Sequence, residues 1–91
     1  MKKPPNESLL KALATEIKAL RAVLGISQEE LAHRAGLNRT FVGKLEVAQT
    51  QPSITVLFQL AEALGLETVE LVANITKRIK KERSLRSTSK K

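Results

Sequence analysis

Residues 26–47 read ISQEELAHRAGLNRTFVGKLEV, and this segment contains two helix starts in quick succession. At the first, Ser27 is followed three residues later by a glutamate. This is the spacing of a capping box, in which each side chain serves a free backbone N–H. At the second, Asn38 is placed as the N-cap of the next helix. The pattern predicts one helix from Gln28 to Ala35 and another that follows its cap Asn38 and reaches about Val47.

Only the three residues Gly36 to Asn38 separate these two helices. That connection is too short for an antiparallel return, so a sharp turn there leaves the helices strongly crossed. Two apolar pairs have the spacing of hydrophobic staples at the two helix starts, Ile26 with Leu31 and Leu37 with Val42. We therefore predict a helix-turn-helix at about residues 28–47.

Apolar residues at helical spacing extend the prediction to both sides of this segment. Before it, one helix begins at Ser8 and ends at Gly25, with the apolar stripe Leu9, Leu13, Ile17, Leu20 and Leu24. After it, Ser53 caps a fourth helix that ends at Gly65, with the predicted buried stripe Ile54, Leu57, Leu60, Ala61 and Leu64. The predicted fold is all-α, with two further helices around the helix-turn-helix and a fifth at the end.

The fifth helix begins near Glu67 and carries the apolar residues Leu71, Ile75 and Ile79 at i, i+4 and i+8. We expect it to fray through the charged stretch after Lys80, since the following residues are too polar to join a core. The predicted organisation is a disordered lead-in over residues 1–7, a helical domain over 8–82 and a basic disordered tail over 83–91.

Composition excludes several classes of protein. The 91 residues make one domain, and the chain contains no cysteine and the single histidine His33, so thiolate sites and a histidine-based metal site are not expected. No apolar run approaches the roughly 20 residues that span a bilayer, and no signal-peptide core follows Met1. We expect no catalytic residues, metal, cofactor or membrane partner. Composition therefore predicts a soluble, cytoplasmic protein.

The net charge of +7 is concentrated at one end of the chain. Residues 77–91 hold eight basic residues against the single acid Glu82, whereas residues 1–76 hold eight of each sign. The basic tail is a solubilising segment or a non-specific attraction to phosphate. A membrane-surface helix is disfavoured, because Leu85 alone offers an apolar anchor after Arg83. The charge therefore does not identify the folded part.

The ordered set of capping, turn and core residues resembles the lambda-repressor-like, Cro-type (XRE) family of helix-turn-helix transcriptional regulators over about residues 13–71. The matching residues are Arg21, Gly25, Ile26, Ser27, Gln28, Glu29, Leu31, Ala32, Gly36, Leu37, Val42, Leu45, Glu46, Pro52, Ser53, Leu57, Leu60, Ala61, Leu64 and Gly65. The resemblance implies that the first crossed helix braces across the phosphate backbone and the second lies in the major groove of double-stranded DNA.

On this basis Gln28 is predicted to anchor a phosphate at the start of the first crossed helix, where free backbone N–H groups and the helix dipole favour an anion. It could also buttress a base-reading side chain, or be only a first-turn residue. The outward residues predicted to contact DNA on the second helix are Asn38, Arg39, Thr40, Gly43 and Lys44.

Arg39 has the fork geometry for guanine, a contact worth about 1–3 kcal/mol of discrimination. Thr40 offers a hydroxyl and a methyl group, and Lys44 can reach a base or a phosphate. Arg39 and Lys44 could instead be ordinary solvated cations, as we expect His33 to be solvated. Gly43 either lets the backbone approach DNA closely or is a tolerated weak spot in the helix.

The resemblance also implies that Arg21 and Glu46 form a partly buried structural ion pair rather than a DNA contact. Two positions depart from the family pattern. Ala48 stands where a glycine commonly ends the second crossed helix, and Gly43 stands where a small hydroxyl residue is common. Phe41 either lies beside the sugar-phosphate backbone or covers the junction of the two crossed helices.

A single helix-turn-helix reads few base pairs, so the expected DNA-binding unit is a homodimer on a two-fold operator. Phe58, Val72 and Ile79 are predicted at the dimer interface, unless they complete the monomer core. The predicted function is sequence-specific transcription regulation by operator occupancy, as in phage repressors or restriction–modification controller proteins. The alternative is a protein-interaction module, such as an antitoxin bound to a toxin or another regulator, with DNA binding secondary.

Overall fold

The computed structural model describes the backbone of residues 6–89 and the side chains of residues 6–85, and this part of the chain forms five α-helices and no strand. The helices are α1 (Glu7–Leu24), α2 (Gln28–Ala35), α3 (Arg39–Glu46), α4 (Ile54–Ala63) and α5 (Thr68–Ser89). The predicted all-α fold with a helix-turn-helix is confirmed. Most of the predicted lead-in, residues 1–5, lies outside the described residues.

The helix boundaries follow from local capping. Ser27, Asn38 and Ser53 each accept a hydrogen bond from a backbone N–H in the first turn of their helix, as predicted. Asn6 does the same for α1, accepting from Leu9 N, so the helix begins inside the predicted lead-in. Gly36 ends α2 with φ of 70°, a left-handed conformation that glycine adopts without steric cost.

One half of the predicted capping box is absent. The Ser27 hydroxyl serves the Glu30 backbone N–H at 3.0 Å, but the Glu30 carboxylate accepts from Arg34 Nε at 2.8 Å, one turn along α2. A charged partner at i+4 competes successfully with a single backbone N–H.

Every helix contributes to one apolar core. The largest fully buried side chains are Ile17, Leu31, Val42, Leu45, Leu60 and Leu71. Burying a side chain of this size stabilises the fold by roughly 1.5–3 kcal/mol. The helix-turn-helix packs α2 on α3, while α1 contacts α3 and α5 and α4 contacts α2 and α5. The core therefore covers the inner face of the helix-turn-helix and leaves its outer face to solvent.

Most residues of the predicted apolar stripes face the core, including Leu64 at the end of the α4 stripe, but three residues at stripe ends are exposed. Leu13 and Ile17 are buried, but Leu9 and Leu24 are exposed at the two ends of α1. Ile54, predicted to be buried, is 69% exposed in the first turn of α4.

The fifth helix continues to Ser89, through residues that the sequence pattern assigned to a disordered tail. Leu85 is 62% exposed there, so apolar packing does not explain the continuation. Residues 80–83 are lysine, glutamate and arginine, which are good helix formers, and each added residue gains a backbone hydrogen bond once the helix has started. The three serines and one threonine among residues 84–89 do not share this propensity. The absence of apolar residues was therefore a poor predictor of where α5 ends.

Candidate nucleic-acid interface

The two faces of α3 differ in their exposure to solvent. Val42 and Leu45 point into the core and are 0% and 1% exposed. The N-cap and the residues of the opposite face are exposed, except for the half-buried Gly43; they are Asn38, Arg39, Thr40, Gly43 and Lys44. The structure thus brings all five predicted α3 residues together on one solvent-facing surface.

Asn38 has a structural task on this surface. Its Oδ1 accepts from the backbone N–H of Thr40 at 2.7 Å, which fixes the start of α3. The carbonyl oxygen thus serves the helix cap, and the two amide N–H groups are available to donate to acceptors on DNA. Arg39 and Thr40 follow directly and lie in the exposed first turn.

A buried carboxylate holds α3 against the rest of the domain. Glu46, 2% exposed, accepts from Arg21 Nε at 2.8 Å and from Arg21 Nη2 at 2.9 Å. Arg21 also donates from Nη1 to the Ile26 carbonyl at 2.9 Å. Gln28 Nε2 donates to the same carboxylate at 2.9 Å. We call Arg21, Gln28 and Glu46 the α3 clamp, because together they connect α1, α2 and α3.

The electrostatics of the α3 clamp favour the charged pair. Burial raises the pKa of the Glu46 carboxyl, but the hydrogen bonds from Arg21 and Gln28 lower it by more, so this pKa lies below the ordinary glutamate value. The hydrogen bond to Glu46 also raises the pKa of Arg21. The Arg21 guanidinium and the Glu46 carboxylate form two hydrogen bonds side by side, and such a contact is directional. It therefore restrains the angle between α1 and α3.

Gln28 is the first residue of α2 and is half-buried. One of its amide hydrogens is committed to Glu46, which leaves the second for a phosphate oxygen. Its Oε1 lies next to Gly43, where an added Cβ would meet it at 3.8 Å, an ordinary contact distance. Lack of space for a methyl group inside the domain therefore does not explain the glycine at position 43.

Three other residues of the segment have clear positions. Phe41 is half-buried and packs against the core, which favours the interpretation that it covers the junction of the two crossed helices. His33 is exposed on α2, as expected. Ala48, just after α3, has φ of 61°, so it adopts the left-handed conformation that glycine provides at many helix ends.

An apolar surface lies on the side of the domain formed by α4 and α5. Four exposed residues line one open hollow there, Ile54, Phe58, Val69 and Val72. We call these four residues the α4–α5 patch. The predicted interface residues Phe58 and Val72 belong to it. Ile79 is half-buried and packs against the core, in a groove that Val72 shares with Leu10 and Ile75, as expected of a residue that completes the monomer.

The sequence pattern did not single out Glu16, which is buried on α1. It accepts from Asn74 Nδ2 at 3.0 Å and from Arg78 Nε at 2.7 Å, and thereby connects α1 to α5. These partners lie 58 and 62 positions away. The only local signal was an acid three residues after Leu13, on the edge of the buried stripe of α1.

Within the part of the chain that the structure describes, no three potential ligands from His, Cys, Asp or Glu cluster in a way that could hold a metal ion. None of the described helices is long and apolar enough to cross a membrane.

The short helix α2 is followed after a tight turn by the crossed helix α3, whose polar face is exposed. This arrangement defines a helix-turn-helix DNA-binding domain. A model of the family described as Helix-turn-helix matches residues 17–71, and this chain belongs to that family. The chain is 36% identical over 62 residues to an HTH-type transcriptional regulator of Sinorhizobium fredii, covering 68% of this chain and 80% of the relative. The protein is a DNA-binding transcriptional regulator of the helix-turn-helix type.

Several solved structures are similar in fold. The clp gene regulator ClgR of Corynebacterium glutamicum superposes with a TM-score of 0.82 at 20% identity, over 90% of this chain and 87% of that one. The restriction-modification controller protein C.Esp1396I, as a tetramer in complex with its natural 35 base-pair operator, superposes with a TM-score of 0.72 at 28% identity. That match covers 78% of this chain and 93% of the controller protein.

Proposed function

We propose that this protein regulates transcription by occupying a two-fold operator as a homodimer, with α3 reading base edges in the major groove of each half-site. The observation that carries the proposal is the division of α3 into a fully buried face and an exposed polar face, with the α3 clamp fixing its angle. A rigid helix presented in this way suits groove reading, because small errors in angle displace every contact along it.

Arg39 is the proposed base-reading residue, and Gln28 and Lys44 are proposed to contact phosphates. Arg39 lies in the exposed first turn of α3, and its guanidinium can donate two parallel hydrogen bonds to guanine O6 and N7. Lys44 is a point charge about one turn further along, suited to a phosphate or a base. Thr40 and the amide of Asn38 complete the surface beside Arg39.

The α4–α5 patch is the proposed dimer surface. Val69 is 73% exposed and Phe58 is 57% exposed, and both line the same hollow. A symmetric dimer buries such a surface against a copy of itself, because a two-fold interface uses the same residues on both sides. The operator complex of C.Esp1396I, which contains a tetramer, supports assembly on DNA within this family.

Selection of bound sequences from a random duplex library tests the proposed function. We expect a two-fold site whose half-sites lie about one helical turn apart. Arg39→Ala should relax base preference at one position of each half-site. The free energy of discrimination against the wrong base at that position should fall by about 1–3 kcal/mol. The matched control is Lys77→Ala, which removes an exposed cation from α5. A selected pool without sequence preference would contradict the proposal.

Sedimentation equilibrium tests the proposed dimer separately. Val69→Ser places a hydroxyl in the α4–α5 patch and should shift the protein toward monomer. Val23→Ser is the matched control, since Val23 is 83% exposed at the end of α1 and does not line the patch. A wild-type protein that remains monomeric on operator DNA would refute the dimer. If Val69→Ser and Val23→Ser dimerise equally strongly, the dimer interface does not lie at the α4–α5 patch.

A further inference from the structure

Two buried carboxylates connect different helices to α1. Glu46 on α3 accepts from Arg21 of α1, and Glu16 on α1 accepts from Asn74 and Arg78 of α5. We call Glu16, Asn74 and Arg78 the α5 clamp. Glu16 is 6% exposed and both its oxygens are engaged, so leaving this carboxylate unpaired would carry a large desolvation cost. Each clamp therefore restrains one helix relative to α1.

Both clamps include a residue of α1, which is one continuous helix. Glu16 and Arg21 lie in the same uninterrupted helix, five positions apart. In an α-helix that spacing is about 7.5 Å along the axis and about 140° around it. Arg21 of the α3 clamp and Glu16 of the α5 clamp thus project from α1 in different directions, at a fixed distance along the helix axis. Any change in the seating of α5 on α1 changes its position relative to α3.

The two restrained helices have different tasks. The exposed face of α3 carries the proposed base-reading residues, and α5 carries Val69 and Val72 of the α4–α5 patch. Leu71 and Ile75 already attach α5 to the core through apolar packing, which is not directional. The contact of Arg78 with Glu16 adds direction, because a charge-assisted hydrogen bond depends on geometry. The α5 clamp is therefore suited to fix the angle between α5 and α1, and not only to keep the two helices in contact.

We propose that the α5 clamp is a positioning cluster that sets the distance and rotation between the two recognition helices of the dimer, and with them the half-site spacing that the protein accepts. This inference rests on the proposed function, in which a dimer binds a two-fold operator. Glu16, Asn74 and Arg78 act through α5 and are not proposed to touch DNA.

Operators with altered spacing test this proposal. The two selected half-sites are placed at the preferred separation and at one base pair more or less, which displaces one half-site by about 3.4 Å and rotates it by about 35°. The preference ratio is the affinity for the preferred spacing divided by that for the altered spacing. In Glu16→Gln and Arg78→Gln this ratio should fall about threefold to tenfold, a coupling of ordinary size. Affinity for an isolated half-site should stay unchanged.

Lys77→Gln is the matched control, because it removes an exposed positive charge beside Arg78 without touching Glu16. It should retain the wild-type ratio. Arg78 is 38% exposed, so Arg78→Gln opens the cluster from its edge and provides a folded variant if Glu16→Gln unfolds. Folding is checked by thermal unfolding of each protein.

A wild-type preference ratio in the folded clamp variants would overturn the inference and leave the proposed function intact. A fall in the isolated half-site affinity that accounts for the whole change would also overturn it, because the effect would then be on base reading. A wild-type protein that binds a two-fold site without spacing preference overturns the inference alone. A wild-type protein that selects no two-fold site overturns the proposed function as well.

Discussion

Among the described residues other than glycine, Ala48 alone has a positive φ, of 61°. The left-handed conformation costs a residue with a Cβ roughly 1–2 kcal/mol. Glycine removes that cost but loses about 0.5–1 kcal/mol through the greater freedom of its unfolded chain. We therefore expect Ala48→Gly to stabilise the protein by about 0.5–1 kcal/mol, measured by urea unfolding.

Ala73→Gly is the control for this prediction. Ala73 is an exposed residue in the interior of α5, where glycine should destabilise by about 0.5–1 kcal/mol. The opposite signs of the two substitutions test the left-handed conformation directly. If Ala48→Gly lowers stability as much as Ala73→Gly does, the backbone strain at position 48 is not real.

Gly43→Ala separates the two explanations that the sequence left open for the glycine in α3. The added methyl group meets Gln28 Oε1 at an ordinary 3.8 Å, so we expect the free protein to gain about 0.5–1 kcal/mol of stability from helix propensity. Urea unfolding measures the gain, and titration with the selected operator measures affinity. A loss of affinity in the stabilised variant indicates a close approach of the backbone to DNA. Unchanged affinity indicates a tolerated weak spot, and lower stability contradicts the prediction.

Single residues were predictable where their partners are close in sequence. The caps at Ser27, Asn38 and Ser53 depend on a backbone N–H two or three residues away, so the sequence contains the whole interaction. Glu16 is the opposite case, because its hydrogen-bond partners lie on α5 and no local spacing reveals them. Glu30 is an intermediate case, because the backbone N–H of Ser27 and the side chain of Arg34 compete for its carboxylate. Both are close in sequence, and helix propensities do not rank them.

At the scale of helices, the α3 clamp makes stability depend on pH. Because the pKa of Glu46 is lower in the folded than in the unfolded protein, the charged carboxylate stabilises the fold above the ordinary glutamate pKa of about 4.3. This contribution is lost as the pH falls through the lower folded pKa. We expect Glu46→Gln to be less stable than wild type at pH 7 and the difference to shrink below about pH 4, measured by urea unfolding across pH.

Glu30→Gln is the control for this pH dependence. The hydrogen bond from Arg34 lowers the pKa of Glu30, but this pair is exposed, and exposed pairs contribute little to stability. Its substitution should therefore leave the stability difference small at every pH. A Glu46→Gln difference that stays constant down to pH 3 would show that the charge of Glu46 is not what connects α1 to α3.

The extent of a helix was predictable only where a core defines it. The start of α5 and its buried residues Leu71 and Ile75 follow from apolar periodicity. Beyond Lys80 the helix has no apolar face to detect, and only the propensities of its charged residues indicate that it continues. Ile54 failed for the related reason that periodicity identifies a helix face but not the point at which the neighbouring helices stop covering it.

At the scale of the whole molecule, the charge distribution separates specific from non-specific binding. Residues 1–76 are electrically balanced, and residues 83–91 carry the four basic residues Arg83, Arg86, Lys90 and Lys91. Each phosphate that a basic residue neutralises contributes about 0.9 to the slope of log affinity against log salt. Deleting residues 83–91 should therefore lower the slope by at most about 3.6 on random duplex DNA.

The same deletion should leave the ratio of operator affinity to random-duplex affinity unchanged, because base reading belongs to α3 and dimer contacts to the α4–α5 patch. Titration of both duplexes at several salt concentrations measures the slope and the ratio together. Arg39→Ala is the complementary variant, expected to lower the ratio with little change in slope on random DNA. If the truncated chain loses its preference for the operator while Arg39→Ala keeps it, discrimination resides in the end of α5, and the helix-turn-helix does not read the sequence.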